Sequence, residues 1–419
     1  MRFLLYIGIL VTIALPANAT ERMTVAQLEA LLSQAATKPQ EIKPDTRSAD
    51  EIAEISDSDL LKQLGSDDAL LPRLAEIELT ERLSTLTLYR LVGKNNLGPH
   101  VQAALEQIAD RSALLRLPSS EMPGLPVPDA KSEKAMLSSA REYVIRRLSH
   151  LPNFVATRTT TTFDTTPAPL KYFQSMTDGG GFRKVGTDQR QITFRDGKEV
   201  TESAVKSGGT KNAGSAFESR GEFGSQAAVV VMDLEHGVVK FDHWENTMGG
   251  MAAVYEYSVP RDASHYEVTD LCKERASFQD SPAYHGQIAL NPKTGAILRI
   301  TLQAEWKSSD PVSHVASVIE YGPVILGNRR TLCPLRSLAF LTQEANACSH
   351  GGHRLAKPVM MINATIFSNY HRFGSSSTIL FDEAAGADDS SGGEIRGSED
   401  AKGKKSSVGS TARIQSNNR

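Results

Sequence analysis

The sequence predicts an α+β protein, a small N-terminal helical domain followed by an antiparallel β-sheet with one packed helix. Three observations carry that reading. Apolar residues recur at helical spacing as far as residue 116. Pro118, Pro123, Pro126 and Pro128 then crowd residues 117–130 and mark a proline-rich linker between domains. From Phe154 the apolar and β-branched residues alternate with a period of two, the signature of strands.

Taken in order, residues 1–19 read as a secretory signal. Arg2 is the basic start, Phe3–Leu15 is the apolar stretch, and Pro16-Ala17-Asn18-Ala19 is a small-residue cleavage pattern. Phe3–Leu15 is shorter than the roughly 20 apolar residues a membrane span requires. No later run is long enough either, so no transmembrane segment is expected after cleavage. The product is expected to be exported, periplasmic or secreted.

The helical domain is expected over 20–116. Thr24 can cap a helix whose stripe is Val25, Leu28, Leu31 and Leu32. Lys38–Arg47, with Pro39 and Pro44, reads as a connector. Asp57 or Ser58 starts a second helix through Leu60, Leu61 and Leu64 that Gly65 ends. Thr80 can cap a third through Leu83, Leu86 and Leu91, ended by Gly93. Gly98-Pro99 opens a fourth through Val101, Leu105 and Ile108, since proline is tolerated at the first helical position. Each is too short to stand alone, so a small bundle is expected.

The β domain is expected over 131–382. Ser132 can cap its one packed helix, which carries Ala135, Met136, Ala140, Tyr143, Val144, Arg147, Leu148 and Leu151, with Pro152 as the stop. Strands are expected at 154–163, 238–244, 252–259, 284–290, 296–306, 312–321, 331–341 and 360–372. A hairpin is expected over 191–200, with Asp196-Gly197 as its turn. Asn291-Pro292-Lys293-Thr294-Gly295 carries turn chemistry between two strands. Ser203–Gly224 and Asn346–Lys357 read as exposed loops. From Glu383 the chain has no aromatic residue and six acidic against six basic side chains, a composition expected to be disordered.

Bulk composition excludes some functions. The 419 residues carry 46 Lys and Arg against 49 Asp and Glu, a net charge of -3, so no nucleic-acid partner is expected. Export permits disulfides, and Cys272–Cys333 is the favoured pair of the three cysteines; Cys333–Cys348 stays open, because sequence does not fix connectivity.

Ser132–Phe163, from helix into Thr-rich strand, and the Pro-Lys-Thr-Gly turn with Leu298-Arg299 after it follow an order of elements that resembles LolA-like half-barrels of bacterial envelope proteins. Leu148–Phe154, Tyr257–Pro260, Ser264–Val268, Tyr284–Gly286 and Glu320–Pro323 are similar to recurring segments of a secreted bacterial protein family. The resemblance implies a half-barrel-like sheet whose concave apolar face is partly closed by the helix. Relatives of that shape hold lipid or lipoprotein acyl chains, or bind proteins. It implies no catalytic residues.

The residues supply only weak chemical candidates. Cys348, His350 and His353 have ligand types suited to zinc or copper, but Gly351-Gly352 leaves them on a loose loop without a carboxylate, so no metal is expected. His243 and Glu245 alternate on one strand and share a face, with Trp244 on the other, an arrangement open to acid–base work but commoner as a cross-strand polar pair. His285 reads as a strand histidine. There is no G-x-S-x-G and no H-E-x-x-H, so no catalytic residue and no cofactor are assigned. The leading expectation is a non-enzymatic envelope protein holding a hydrophobic or lipid-like ligand. The alternatives are a protein–protein interaction module of the envelope and a hydrolase without a recognisable motif.

Overall fold

A computed structural model describes residues 21–36, 67–95, 97–146, 151–165, 182–201, 217–271, 278–307, 310, 312–344, 358–373 and 410–415. These fall into two compact units, divided mainly between Met122 and Pro123. The segment expected as a signal, and the helix expected to end at Gly65, lie outside the described residues.

The first unit contains β1 (Glu21–Met23), α1 (Val25–Ala36), α2 (Asp67–Glu76), β2 (Ile77–Leu79), α3 (Thr85–Asn95) and α4 (Pro99–Ser112). Thr24 caps α1 as expected, and reciprocally: its hydroxyl accepts the Gln27 N–H at 3.2 Å while the Gln27 side-chain oxygen accepts the Thr24 N–H at 2.8 Å. Gly98 precedes α4, with Pro99 at its first position. Thr80 does not cap a helix. Its N–H and hydroxyl both donate to the Met23 carbonyl, extending the parallel pairing of β1 with β2. The cap of α3 is Ser84, whose hydroxyl accepts the Thr87 N–H at 3.2 Å and donates to Glu121 at 2.9 Å. The helix then continues through Gly93 to Asn95. Leu28, Leu32, Leu91, Val101, Leu105 and Ile108 pack into one buried cluster, as the helical stripes predict, together with Leu74 of α2, which no stripe predicts.

The second unit opens with α5 (Ala130–Arg146), followed by β3 (Phe154–Asp164), β4 (Arg183–Arg195), β5 (Lys198–Thr201) and β6 (Phe217–Ser219). After α6 (Ser225–Asp233) come β7 (Val238–Thr247), β8 (Gly250–Val259), β9 (Tyr266–Leu271), β10 (Phe278–Asp280), β11 (Tyr284–Leu290) and β12 (Ile297–Ala304). β13 (Val312–Leu326), β14 (Arg329–Gln343), β15 (Val359–Arg372) and β16 (Ser410–Gln415) complete it. Asp129, not Ser132, caps α5: its carboxylate accepts the Ser132 N–H at 2.7 Å. Within the linker, the Pro126 carbonyl accepts the Trp244 indole N–H at 2.9 Å, which ties this segment to β7.

Ten strands form one antiparallel sheet in the order β5-β4-β3-β15-β14-β13-β12-β11-β8-β7. β5 and β7 are unpaired on their outer sides, so the sheet is open and half-barrel-like. The Asp196-Gly197 turn joins β4 to β5 with both residues at positive φ (52° and 75°), the geometry of the expected tight hairpin. A smaller sheet has the order β10-β9-β16-β6. Of the tail expected to be disordered, only 410–415 are described, as β16.

The register places Tyr255, Ile288, Ile300 and Ile319 side by side on one face. Further along, the same row becomes hydroxylic, with Ser337, Thr365 and Thr160. A slip of one residue would send this row to the opposite face, so burial fixes the pairing. Met136, Ala140 and Val144 of α5 pack on the apolar half. The face is further filled by α6, a helix the sequence reading did not place. Its Ala227, Val229, Val230 and Val231 are buried in the same cluster, and Gln226 donates to the Ser317 hydroxyl. The Gly-rich insert was expected to be wholly exposed. Its end is buried instead: Gly221 (φ 100°) and Gly224 (φ 132°) turn the chain inward and bury Glu222 and Phe223.

Phe223 stacks into an aromatic cluster with Phe154, Phe194 and Phe367, against which Cys333 packs. Cys333, expected in a bridge with Cys272, carries a free thiol here, while Cys272 and Cys348 lie outside the described residues. Burial pushes the Cys333 thiol up to about 12. Iodoacetamide at mildly alkaline pH should therefore leave Cys333 unmodified in the folded protein and alkylate it in guanidinium without reductant, as read by peptide mass mapping. Modification of the folded protein would show that the aromatic cluster opens.

Candidate functional site

Where α5 meets the β11–β12 and β13–β14 turns, the second unit leaves an open cleft of about 710 Å³. That volume is within the range of small-molecule sites, roughly 300–1,000 Å³. Its lining is about as polar as it is apolar; Tyr143 of α5, Leu151 and Pro152 after it, Leu298 of β12, Leu326 of β13 and Leu332 of β14 supply the apolar part. Asn291, Thr294 and Thr331 add neutral polar groups, and Arg329, Arg330 and Arg372 contribute three cations.

Local chemistry shapes each wall. Asn291 holds its turn by accepting the Lys293 and Thr294 N–H groups at 3.0 and 3.1 Å. Gly295 closes the turn at φ 68°. A Cβ there would stand 2.2 Å from the Ser139 carbonyl carbon, so only glycine lets the turn press on the α5 backbone. Gly327 (φ 66°) makes the β13–β14 turn, which brings Arg329 and Arg330 to the cleft. The Arg372 stem reaches the same turn from the end of β15: its Cδ is 3.6 Å from where a Cβ on Gly327 would stand. No carboxylate lines the cleft, and none of the three arginines has an ion-pair partner among the described residues.

The histidines singled out from sequence are elsewhere. His243 and Glu245 do share a face of β7, their Nε2 and Oε2 atoms 3.4 Å apart, and Trp244 packs with the cluster on the other face. A bulge at Asp242 adds a second carboxylate, 2.9 Å from His243 Nδ1. Asp242 accepts from Gln287 at 3.2 Å, Gln287 accepts from Arg299 at 3.4 Å, and Arg299 lies 4.0 Å from Glu320. This chain of polar contacts crosses four strands. With His243 and Glu245 both buried, the pair has no approach for a substrate and works as a cross-strand network. His285 is half-exposed and faces Glu305 at 3.2 Å, a surface pair of small energetic weight. Cys348, His350 and His353 lie outside the described residues. Among those that are described, no three His, Cys, Asp or Glu side chains converge on a metal site.

Sequence reasoning passed over two further groupings. Asp233, at the end of α6, is buried and accepts from the His265 N–H at 2.9 Å and the Tyr284 hydroxyl at 2.8 Å, with His265 Nδ1 at 2.6 Å. Buried Glu222 accepts from Arg158 at 3.1 Å. The arginines of the cleft were also missed. Their one local signal is the Gly327-Asn328-Arg329-Arg330 run, a turn followed at once by paired cations.

No helix among the described residues is long and apolar enough to cross a membrane. No protein-family model, curated protein or solved structure matches the chain.

Proposed function

We propose that this chain is a non-enzymatic binding protein of the cell envelope that holds a hydrophobic, lipid-like molecule in the cleft beside α5. The observation that carries the reading is the cleft itself, open to solvent and with an apolar part to its lining that includes Tyr143, Leu151 and Leu332. The apolar part of such a lining costs free energy where it faces water, and an acyl chain laid against it would relieve that cost. The LolA-like resemblance supports the ligand class, and the export signal expected from sequence supports the compartment. The difference from a simple half-barrel carrier is positional. With α6 filling the inner face of the sheet, the ligand belongs at the end of the sheet rather than beneath it.

The full chain should give a saturable fluorescence rise with the neutral dye N-phenyl-1-naphthylamine, reversed by hexadecanol. Thr331→Trp, which fills the cleft, should weaken dye binding by about tenfold with an unchanged circular dichroism spectrum. No saturable rise, or equal binding by the variant, would overturn the reading. A second reading, docking on an envelope protein, draws on Leu86 and Tyr89, which stand exposed one turn apart on α3. It predicts a bare cleft and loss of a co-purifying partner in Tyr89→Ser.

A further inference from the structure

We infer that the ligand of this cleft is an anionic amphiphile: a single apolar chain ending in an oxyanion, a carboxylate or phosphate monoester, held by Arg329, Arg330 and Arg372. The inference rests on the reading of the cleft as a lipid-like site and adds the chemistry of the head group.

Three features of the cleft point to a negative head. The first is charge: three arginines line one cleft whose lining holds no carboxylate. Like charges gathered at one opening repel one another unless an anion joins them. The second is residue type. Arginine presents a planar fork of N–H donors that matches carboxylate and phosphate oxygens two at a time. The third is arrangement. Arg329 and Arg330 begin β14 directly after the turn, and Arg372 ends β15 with its stem beside that same turn, so two strands deliver their cations to one end. Apolar side chains from α5, β12 and β13 occupy the rest. The cleft is therefore itself amphiphilic, and its complement is a molecule with an acidic end and an oily one. A neutral lipid would leave the guanidinium groups without counter-charges, whereas a bare phosphate would leave the apolar part of the lining wet.

The test compares three ligands of one chain length, palmitate, hexadecyl phosphate and hexadecanol, each displacing N-phenyl-1-naphthylamine from the full-length protein. At least one anionic ligand should bind about tenfold or more tightly than hexadecanol. Palmitate leading would identify a carboxylate head, and hexadecyl phosphate leading a phosphate head. That advantage should shrink when ionic strength rises from about 0.05 to about 0.5 M. It should vanish in Arg329→Gln/Arg330→Gln/Arg372→Gln, which should still bind hexadecanol. These side chains are exposed, so the variant is expected to fold, and its hexadecanol binding confirms that it does. Equal binding of all three ligands, or a preference that survives the triple substitution, would overturn the anionic head while leaving the cleft a lipid site. Failure of all three to displace the dye would instead remove the lipid reading on which the inference stands.

Discussion

Arg158→Met is expected to destabilise the sheet unit by about 3–5 kcal/mol, the usual consequence of leaving one half of a buried ion pair alone. Glu222 is fully buried beneath the hydroxylic half of the sheet. Its Oε1 accepts from the Arg158 guanidinium at 3.1 Å and lies 3.5 Å from the Ser337 hydroxyl. The same guanidinium donates to the Ser219 carbonyl at 2.9 Å and lies 3.9 Å from Glu199. Removing the cation leaves the buried Glu222 carboxylate without a counter-charge on that oxygen, with the Ser337 hydroxyl at 3.5 Å. Guanidinium denaturation followed by circular dichroism reads the loss. The double variant Arg158→Met/Glu222→Leu should regain most of it, because neither charge is then buried. A loss below about 1 kcal/mol in the single variant would show that water reaches Glu222.

Gly295→Ala should cost about 3 kcal/mol, combining left-handed backbone strain of about 1–2 kcal/mol with overpacking of about 1–3 kcal/mol. The alanine methyl would meet the Ser139 carbonyl and the Ala140 nitrogen of α5 at 2.2–2.6 Å, and these are backbone atoms that cannot rotate aside. Relief requires the turn to lift from the helix, which also displaces Asn291 and Thr294 from the cleft wall. The variant should therefore melt roughly 6–12 °C lower and bind the dye less tightly. Gly186→Ala, in β4, is the control: a Cβ there meets nothing within 4 Å. A similar loss in both variants would mean that contact with α5 is not the cause.

How far the fold was legible depended on how each segment is buried. β3, the β4–β5 hairpin and the run from β11 to β15 were readable because β-branched and apolar residues run between turn signals, even in β12, where nearly every position is buried. α6 was not readable. Ala227–Met232 is apolar at every position, and Val229, Val230 and Val231 are all buried, so no period singles out a face. α2 was hidden by Pro72, which normally argues against a helix interior. β1 and β2 are three residues each, too short for any pattern. The site was less legible still. Tyr143, Leu298, Arg329 and Arg372 belong to four different elements, and only the order of strands brings them to one cleft. The histidines stood out because their chemistry is conspicuous, but neither His243 nor His285 lines the cleft.

The pairing of β3 with β15 has a consequence for how the chain acquires this structure. Thr162 and Asn363, whose side chains hydrogen-bond at 2.8 Å, are 201 positions apart. The first long strand of the sheet thus waits for the last. Until β15 has emerged and docked, the threonine ladder of β3 has an unsatisfied edge, with a row of amide groups offered to any neighbouring chain. Closing so distant a contact makes folding slow relative to a protein of local hairpins. A nascent or truncated chain that ends before residue 359 would carry that edge permanently and should aggregate rather than fold.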